Sequence, residues 1–498
     1  MPCGRTVRAQ CGTHSGAGLL QLRPIIFTLG LLLCAVAAAM TIPAALDAAD
    51  GNDHWRVFFA SAVFTVFIGG LMVLATMSSE PFRFGIKEGF VLTTFSWVAT
   101  AAFAAVPFIG VGLSYTDAFF ESMSGLTTTG ATVIEGLDHL PRGLLLWRSL
   151  LQGIGGLGIV VTAIIILPFL RVGGMQLFQA ERPDRSEKVL PRAAELVTAA
   201  AAIYLALLLA CTIAYTVFGM TLFDAVCHAL TTVSTAGFST HDQSFEFFAA
   251  PSLEVVAIVF MILGALPFVV FIRMMHGDLK APWKDAQVRG LLTFLAVVIL
   301  LMAVWLSSSR NFSFIEALRL TAFNVTSIVT TTGFIITDYT QWGTFAFGMF
   351  FLLMFVGGCS GSTAGSIKIY RLQVAGMLTR SYLLHLISPN RVVSLVYNGR
   401  RLPEDVPFSV IAFLAIYMAT IGAFTVVLAA FGLEFVTALS AATSAIGNIG
   451  PGLGELVGPS GSYAGLPALA KWALCMAMLL GRLELFTVLV LFRPEFWR

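Results

Sequence analysis

Charged residues are scarce in this sequence, since Asp, Glu, Lys and Arg together make up 11% of its 498 residues, against 57% hydrophobic residues. Soluble globular proteins contain about a quarter charged residues, so this composition excludes an ordinary soluble domain. A mean hydropathy of +0.88 indicates instead a membrane protein with many spans. The net charge of +2 does not indicate a nucleic-acid partner, because the charges lie in the connections between apolar runs.

Cysteines are also few, and known catalytic motifs are missing. Neither HExxH, GxSxG nor a Walker sequence occurs, and the seven histidines show no pairing. The glycines of "GIGGLGIV" (153–160) lie inside an apolar helix and indicate helix packing. We therefore expect no enzyme and no organic cofactor. The cysteines have neither paired nor metal-ligand spacing and are predicted to be reduced core residues: Cys3, Cys11, Cys34, Cys211, Cys227, Cys359 and Cys475.

The apolar residues form ten runs long enough to cross a bilayer as helix, which takes about 20 residues. The first run follows Arg5, Arg8 and Arg23 as a signal peptide would, but it is too long for one, so we expect a retained helix. The predicted spans are 24–46, 56–78, 89–111, 145–169, 196–218, 253–275, 289–307, 343–358, 406–431 and 467–492.

Basic residues are concentrated in alternate connections. Seventeen Lys and Arg lie in the first set, 81–88, 171–195, 273–289 and 366–405. Only five lie in the second set, 47–56, 112–148, 220–254, 307–342 and 432–466. The positive-inside rule therefore predicts that both termini are cytoplasmic. The second set also contains 15 of the 27 acidic residues, which either concentrate cations at a pore mouth or simply tolerate translocation.

Four related segments recur with a period of about 100 residues: "DAFFESMSGLTTTGAT", "DAVCHALTTVSTAGFS", "EALRLTAFNVTSIVTTTGFI" and "TALSAATSAIGNIGPG". Each reads as a short helix followed by a glycine. We predict an all-α polytopic membrane protein in which two leading helices precede four helix, pore-loop, helix repeats around one central pore, with the pseudo-fourfold symmetry of potassium channels. The predicted divisions are an extra helix pair at 1–80 and repeats at 81–195, 196–288, 289–400 and 401–498.

A helix that ends halfway across the membrane needs a covered or water-lined end, because irregular backbone cannot face lipid. Four such ends around one axis would form a ring of carbonyl dipoles that can replace the hydration shell of a monovalent cation. Glycine allows the positive φ that turns a carbonyl toward the axis. The acids near the four helix starts, Asp117, Asp224, Glu316 and Glu434, are expected to cap the helices or match their dipoles rather than bind ions.

A second Gly-Ser-Thr segment, "GGCSGSTAGSIKIYR" (357–371), interrupts the eighth span. Its poor helix propensity predicts one of two structures. It is either a mobile loop beneath the filter, the ring of carbonyl dipoles described above, or a face of small residues that packs against another helix. Arg482 lies in an apolar helix and either repels cations from the pore or pairs with Glu484 or another helix. The candidate gate residues are Gly357, Gly358, Ser360, Gly361, Ser362, Gly365, Lys368 and Arg482.

These motifs resemble the TrkH/KtrB potassium transporters, specifically the TrkH/TrkG branch, over the whole length; the most specific are "SMSGLTTTGAT", "LLQGIGGLGIVV", "TVSTAGFST", "VTTTGF", "GGCSGSTAGSIKIYR" and "IGNIGPGLG". The resemblance implies a homodimer in the bacterial inner membrane, one pore per protomer, a cytosolic nucleotide-binding subunit of the TrkA kind, and Arg482 as the barrier. It also implies the potassium filter residues Thr128, Thr129, Gly130, Ser234, Thr235, Ala236, Gly237, Thr331, Thr332, Gly333, Asn448, Ile449 and Gly450.

The expected function is potassium uptake, with potassium as the transported ion. The fourth copy, "GNIGPG", lacks threonine, so selectivity should be looser than in a filter of four identical strands. A sodium-permeable or sodium-coupled cation transporter is the first alternative, and channel-like conduction and symport both remain open. A secondary transporter of an organic solute is less favoured, because it would need inverted repeats and these repeats share one orientation.

Overall fold

The computed structural model describes residues 20–78, 85–170, 189–391 and 393–498. Helices dominate it, and we number them in chain order: α1 (Leu22–Ala49), α2 (Trp55–Thr76), α3 (Ile86–Ala104), α4 (Val106–Ile109), α5 (Tyr115–Leu126), α6 (Arg142–Leu170), α7 (Val189–Val217), α8 (Leu222–Val233), α9 (Pro251–Ala265), α10 (Phe268–Met275), α11 (Ala281–Lys284), α12 (Ala286–Arg310), α13 (Phe314–Val329), α14 (Thr344–Leu353), α15 (Ile369–Ile387), α16 (Asp405–Ala430), α17 (Phe435–Gly447), α18 (Ala468–Arg482), α19 (Phe486–Leu489) and α20 (Pro494–Trp497). A short antiparallel hairpin, β1 (Val396–Tyr397) and β2 (Arg400–Arg401), follows α15.

Seven of the helices in the described ranges are long and apolar enough to cross a membrane. Two further predicted spans are broken, since α9 and α10 meet at 91°, and α18 meets the helical turns of 486–492 at 109°. The predicted span 343–358 is also wrong as a continuous helix, because α14 ends at Leu353. Gly, Ser and Thr follow it in the sequence, and these residues do not favour a helix.

The two leading helices, α1 and α2, pack through small residues. A Cβ added at Gly30 would lie 2.7 Å from the carbonyl oxygen of Gly69, and one added at Gly69 would lie 2.8 Å from that of Gly30. Such contacts let helix backbones approach closely in a membrane. The two helices therefore pack closely, and their buried side chains also join the apolar core of α3 to α6.

Four short helices, α5, α8, α13 and α17, are the predicted half-helices, with 12, 12, 16 and 13 residues. Twelve residues of helix cover about 18 Å, roughly half of a bilayer. A hydroxyl caps the first three by accepting a hydrogen bond from the backbone N–H of the first-turn acid, in the pairs Ser114–Asp117, Thr221–Asp224 and Ser313–Glu316. The caps of these three helices are therefore hydroxyls, and the acids lie in the first turn, where they match the positive end of the helix dipole. Glu434 is itself the N-cap of α17 and makes no side-chain cap bond.

The apolar core consists of two large clusters. One joins α1 to α6 with α16 to α18, and the other joins α7 to α14. The half-helices α5 and α17 belong to the first cluster, and α8 and α13 belong to the second. Their C-terminal ends meet between the two clusters, and this is where the sequence motifs converge.

Candidate ion filter and gate

All four half-helices end in the same way. In each, the residue just before the loop glycine donates its N–H to the carbonyl five residues back. The residue two positions before the glycine donates its N–H to the carbonyl three residues back. The first set of bonds joins Thr129 to Ser124, Ala236 to Thr231, Thr332 to Ser327 and Ile449 to Ser444, at 2.8 to 3.0 Å. This pair of bonds is a Schellman motif, which closes a helix through one left-handed residue.

The left-handed residue is two positions before each glycine. Thr128, Thr235, Thr331 and Asn448 have φ values of 52°, 52°, 58° and 52°. Asparagine tolerates this conformation, but a β-branched residue in it is a genuine outlier. The strain is of order 1–2 kcal/mol for each such residue. Backbone strain repeated in three related loops indicates a functional constraint at this point of the fold.

The glycines also have positive φ and close the four loops into a ring. A Cβ added to any of these glycines would collide with a carbonyl oxygen of the next loop. That oxygen belongs to the residue that precedes the next loop's glycine. The distances are 2.1 Å from Gly130 to Ala236, 1.9 Å from Gly237 to Thr332, 2.2 Å from Gly333 to Ile449 and 2.8 Å from Gly450 to Thr129. The loops therefore follow one another in chain order around a common centre, and the fourth contacts the first. Only glycine fits at these positions.

The hydroxyls predicted for the filter bond mostly to protein. The Ser234 hydroxyl donates to the Leu230 carbonyl at 2.6 Å, which closes the last turn of α8. Two residues that the sequence did not indicate, Thr127 and Thr330, do the same in their loops. Their hydroxyls also bond those of Thr129 and Thr332, both at 2.8 Å. These hydroxyls hold the loops in shape.

Two loop carbonyls accept hydrogen bonds from side chains. Gln152 on α6 donates to the Ala236 carbonyl at 2.9 Å and accepts from the N–H of Phe238 at 3.0 Å. The Gly450 carbonyl accepts from Ser444 and Tyr463, both at 2.9 Å. Gln152 and Tyr463 are supporting residues that sequence reasoning missed, because nothing in their local sequence indicates their partners. The Ala236 carbonyl, predicted for the filter, thus has one of its two lone pairs engaged by Gln152.

A buried ion pair braces the first two loops. Arg148 on α6 is 1% exposed and Glu121 on α5 is fully buried, and Nε of Arg148 donates to the carboxylate at 2.8 Å. Glu121 also accepts from the N–H of Val133 at 3.0 Å. Arg148 donates to the Ser239 carbonyl at 2.9 Å, and its guanidinium lies 4.2 Å from the ring centre of Phe238. The pair thus connects the segments that leave the ring in loops 1 and 2.

The candidate gate segment lies directly against this ring. The Thr331 hydroxyl accepts from the N–H of Gly365 at 2.7 Å, and Thr235 donates to the Thr363 hydroxyl at 3.2 Å. The Gly447 carbonyl, at the end of α17, accepts from the N–H of residue 366 at 2.9 Å. The segment therefore contacts the ends of the second, third and fourth half-helices.

The same segment fills the break between α9 and α10. The N–H of Cys359 bonds the Ala265 carbonyl at 2.9 Å, and the N–H of Phe268 bonds the Gly361 carbonyl at 3.0 Å. Backbone groups exposed by a broken membrane helix need such partners. The other candidate residues are also bonded, at 2.7 to 3.1 Å: the Gly357 N–H to Ile367, the Gly358 carbonyl to Ile369, the Ser360 N–H to Gln287 and the Ser362 hydroxyl to Cys359.

Arg482 reaches the candidate gate from the end of α18. It is 4% exposed, and its Nη1 donates to the Thr363 carbonyl at 2.8 Å. Its Nε and Nη2 find no hydrogen-bond partner among the described residues. Glu484 bonds instead to Arg371 on α15, so the alternative of an Arg482–Glu484 pair is wrong. The chain turns between the two positions, because Glu484 has a φ of 59°.

A cavity of about 30 Å³, with room for about one water molecule, lies beside Arg482 and the candidate gate. Gly365, Lys368, Asn448 and Glu484 also line it. Lys368 is buried and its Nζ donates to the Ala364 carbonyl within the same segment. Three cationic side chains, Lys368, Arg371 and Arg482, and one acid therefore line this small space next to the ring, and the excess of positive charge disfavours a cation there.

The face at which the half-helices begin carries a cluster around His241. Its imidazole contacts Asp138 at 2.5 Å and Asp224 at 3.6 Å, and stacks on Phe247 at 3.5 Å. Burial alone would lower the pKa of His241, but the nearby carboxylates of Asp224 and Asp138 outweigh it and raise the pKa above its ordinary value. The cluster connects the segment after loop 1 to the first turn of α8.

Comparisons with known proteins match this architecture over nearly the whole chain. A sequence profile of TrkH, described as a cation transport protein, matches residues 54–498. The chain belongs to the TrkH family. It is 43% identical over 487 residues to the Trk system potassium uptake protein TrkI of Halomonas elongata, covering 96% of this chain and 98% of that protein. It is 35% identical over 489 residues to TrkH of Escherichia coli K12, covering 96% and 100%.

A solved structure agrees with the TrkH assignment. The crystal structure of the potassium transporter TrkH from Vibrio parahaemolyticus superimposes with a TM-score of 0.89 at 34% identity, covering 96% of this chain and 100% of that one. The predicted family and the helical polytopic fold class are therefore confirmed. The chain is a multi-pass membrane protein of a transporter family.

Proposed function

We propose that this chain takes up potassium across the bacterial inner membrane by conduction through the ring of four loops. The observation that carries the proposal is the closed ring, in which each glycine contacts the carbonyl before the next glycine. Carbonyl dipoles held at fixed spacing can replace the hydration shell of a dehydrated monovalent cation. The relatives named as potassium uptake proteins support potassium as that ion.

The test is growth rescue of a bacterium that lacks potassium uptake, at low external potassium and with or without added sodium. We expect rescue that does not depend on sodium. Rescue only at high sodium would favour the alternative, a sodium-coupled transporter. One observation supports that alternative. The fourth loop has Asn448 and Ile449 where the first and third loops have threonines, so the ring is chemically different on that side.

We further propose that the segment 357–366 is the gate, with Arg482 as an electrostatic barrier. The support is its position against the ends of three half-helices and the bond from Arg482 to Thr363. Opening would require these hydrogen bonds to rearrange, and each such bond contributes about 1 kcal/mol net. A regulatory subunit that binds the open form more tightly could shift such an equilibrium.

We propose three further assignments for the assembly: both termini in the cytoplasm, a homodimer with one pore per protomer, and a TrkA-like nucleotide-binding subunit on the basic face. The basic face is formed by the connections 273–289 and 366–405. The sequence suggests that the subunit contact be tested by charge reversal at Arg182, Arg185 and Lys188, which lie outside the described residues. Co-purification with the subunit that survives their reversal would show that 171–195 is not the contact.

A further inference from the structure

A cavity of about 690 Å³ opens on the basic face, away from the ring. Its walls are the start of α12, one face of α15 and the hairpin β1–β2. On α15 the lining residues Gln373, Gly376, Met377 and Arg380 are spaced three or four apart and so lie above one another on one face. The volume is within the range of small-molecule sites, about 300–1,000 Å³.

Hydrogen bonds hold the walls of this cavity in place. Gln373 donates to the Ala286 carbonyl at 2.8 Å and accepts from the Tyr397 hydroxyl at 2.6 Å. Asn398 accepts from the N–H of Ala286 at 2.9 Å. One amide side chain thus ties α15 to both α12 and the hairpin. The cavity is therefore formed before any ligand binds.

The lining carries three cationic side chains, Lys284, Arg289 and Arg380, and no acid. Lys284 has an ion pair with Asp278 at 3.1 Å, and both members are largely exposed. Asp285 lies close by, but its carboxylate accepts from the N–H groups of the first turn of α12, at 2.8 and 3.3 Å. Two arginines and a lysine facing one cavity favour an anion with several oxygen acceptors, and arginine matches phosphate geometry best.

Large apolar side chains are exposed beside the cavity. Trp283 and Leu279 are each 70% exposed, and Tyr382 and Leu386 on α15 are 65% and 61% exposed. Trp and Tyr are enriched where a membrane protein crosses the lipid headgroup level. A basic cavity beside a membrane-spanning helix, here α12, suits an anionic headgroup at that level.

We propose that this cavity binds the phosphate of an anionic phospholipid headgroup, with Arg289 and Arg380 as its main contacts. A free phosphate group would use the same contacts, and the experiment below separates the two sources. The proposal does not depend on which cation the ring conducts. A bound headgroup would join α12 and α15, and α15 begins directly after the candidate gate.

The test uses the purified full-length protein in a neutral detergent, titrated with dioctanoyl phosphatidylglycerol, dioctanoyl phosphatidylcholine or inorganic phosphate, with binding measured by native mass spectrometry. The variants are Arg289→Gln, Arg380→Gln and their combination. Arg391→Gln is the matched control, because Arg391 is an exposed arginine of the same face outside the cavity. Elution volume on gel filtration checks that each variant is folded.

We expect phosphatidylglycerol to bind at least tenfold more tightly than phosphatidylcholine. Each substitution should weaken it about fivefold, while Arg391→Gln has no effect, since one basic side chain near an anionic surface contributes about 1 kcal/mol. Inorganic phosphate that competes with the lipid, and loses affinity in the same variants, would support the site with free phosphate as its ligand. Equal lipid affinity in the double variant and the control would overturn the proposal. Unchanged lipid affinity with lost binding of a cytosolic subunit would overturn it too, and would make the cavity a protein-docking surface.

Discussion

Replacing Glu121 by glutamine tests how far the ring depends on its supporting side chains. Glutamine keeps the shape of the side chain but removes its charge. The Glu121 carboxylate lies 2.8 Å from Nε of Arg148, and neither side chain is more than 1% exposed. Removing one member of a buried ion pair costs about 3–5 kcal/mol, because the remaining charge is left without compensation. The bond from Val133 to the carboxylate is also weakened, since a charged acceptor makes the stronger hydrogen bond.

We therefore expect Glu121→Gln to lower both the unfolding temperature and the preference for potassium over sodium. The assay is cation flux into proteoliposomes, compared with thermal unfolding of the same purified sample. Asp50→Asn is the control, because Asp50 pairs with Arg142 at 3.2 Å in a partly exposed position. Exposed pairs contribute about 0–1 kcal/mol, so this variant should behave as wild type.

A second variant separates stability from positioning. Combining Glu121→Gln with Arg148→Met removes both charges, and neutral replacements of a buried pair are often close to neutral in stability. The bond from Arg148 to the Ser239 carbonyl is still lost, so selectivity should stay low while the unfolding temperature recovers. Wild-type selectivity in both folded variants would refute the idea that this pair positions loops 1 and 2.

Three further outcomes are expected. Gly130→Ala should lower the preference for potassium over sodium, because its Cβ would lie 2.1 Å from a carbonyl oxygen of the next loop. Gly136→Ala is the control, since Gly136 has a similar positive φ but open space around it, and it should leave selectivity unchanged. Flux assays in potassium and in sodium compare the two variants. Arg482→Ala should raise cation flux without any partner subunit, and unchanged flux from folded protein would contradict its role as barrier. The raised pKa of His241 means that its ion pairs stabilise the folded state fully below its ordinary pKa of 6.5, and that this contribution is lost as pH rises through the raised pKa. Hydrogen exchange in 239–250, corrected for the intrinsic rate, should therefore increase with rising pH in wild type but not in His241→Ala.

The positions of the half-helices could be predicted from sequence because their signals are local. A hydroxyl three residues before an acid starts each of the first three helices, and the glycine ends each loop. The repeat added a second line of evidence, since the signals recur from copy to copy, with one more helical turn before the glycine in the third. The break in the eighth span was predictable for a related reason, because Gly, Ser and Thr do not sustain a helix.

The supports of the ring could not be predicted, because they depend on residues far apart in the chain. Gln152 bonds Ala236, 84 residues away, and Asn448 bonds Thr129, 319 residues away. An intramembrane arginine in sequence indicates only that some partner or cavity exists. Arg482 and Glu484 were a natural pair by proximity, yet the chain turns at Glu484 and sends its carboxylate to α15.

The ring is not four equal parts, and its asymmetry connects it to the candidate gate. Asn448 suits its left-handed conformation, and its side chain donates to Thr129 at 3.0 Å and to the Met478 carbonyl at 2.9 Å. Thr235 and Thr331 are strained in the same left-handed conformation, and both bond the candidate gate segment, 357–366. Rearranging that segment would remove the bonds that help to hold the second and third loops in their strained form. Conduction and selectivity should therefore change together in this protein when the segment moves, because the same hydrogen bonds support both.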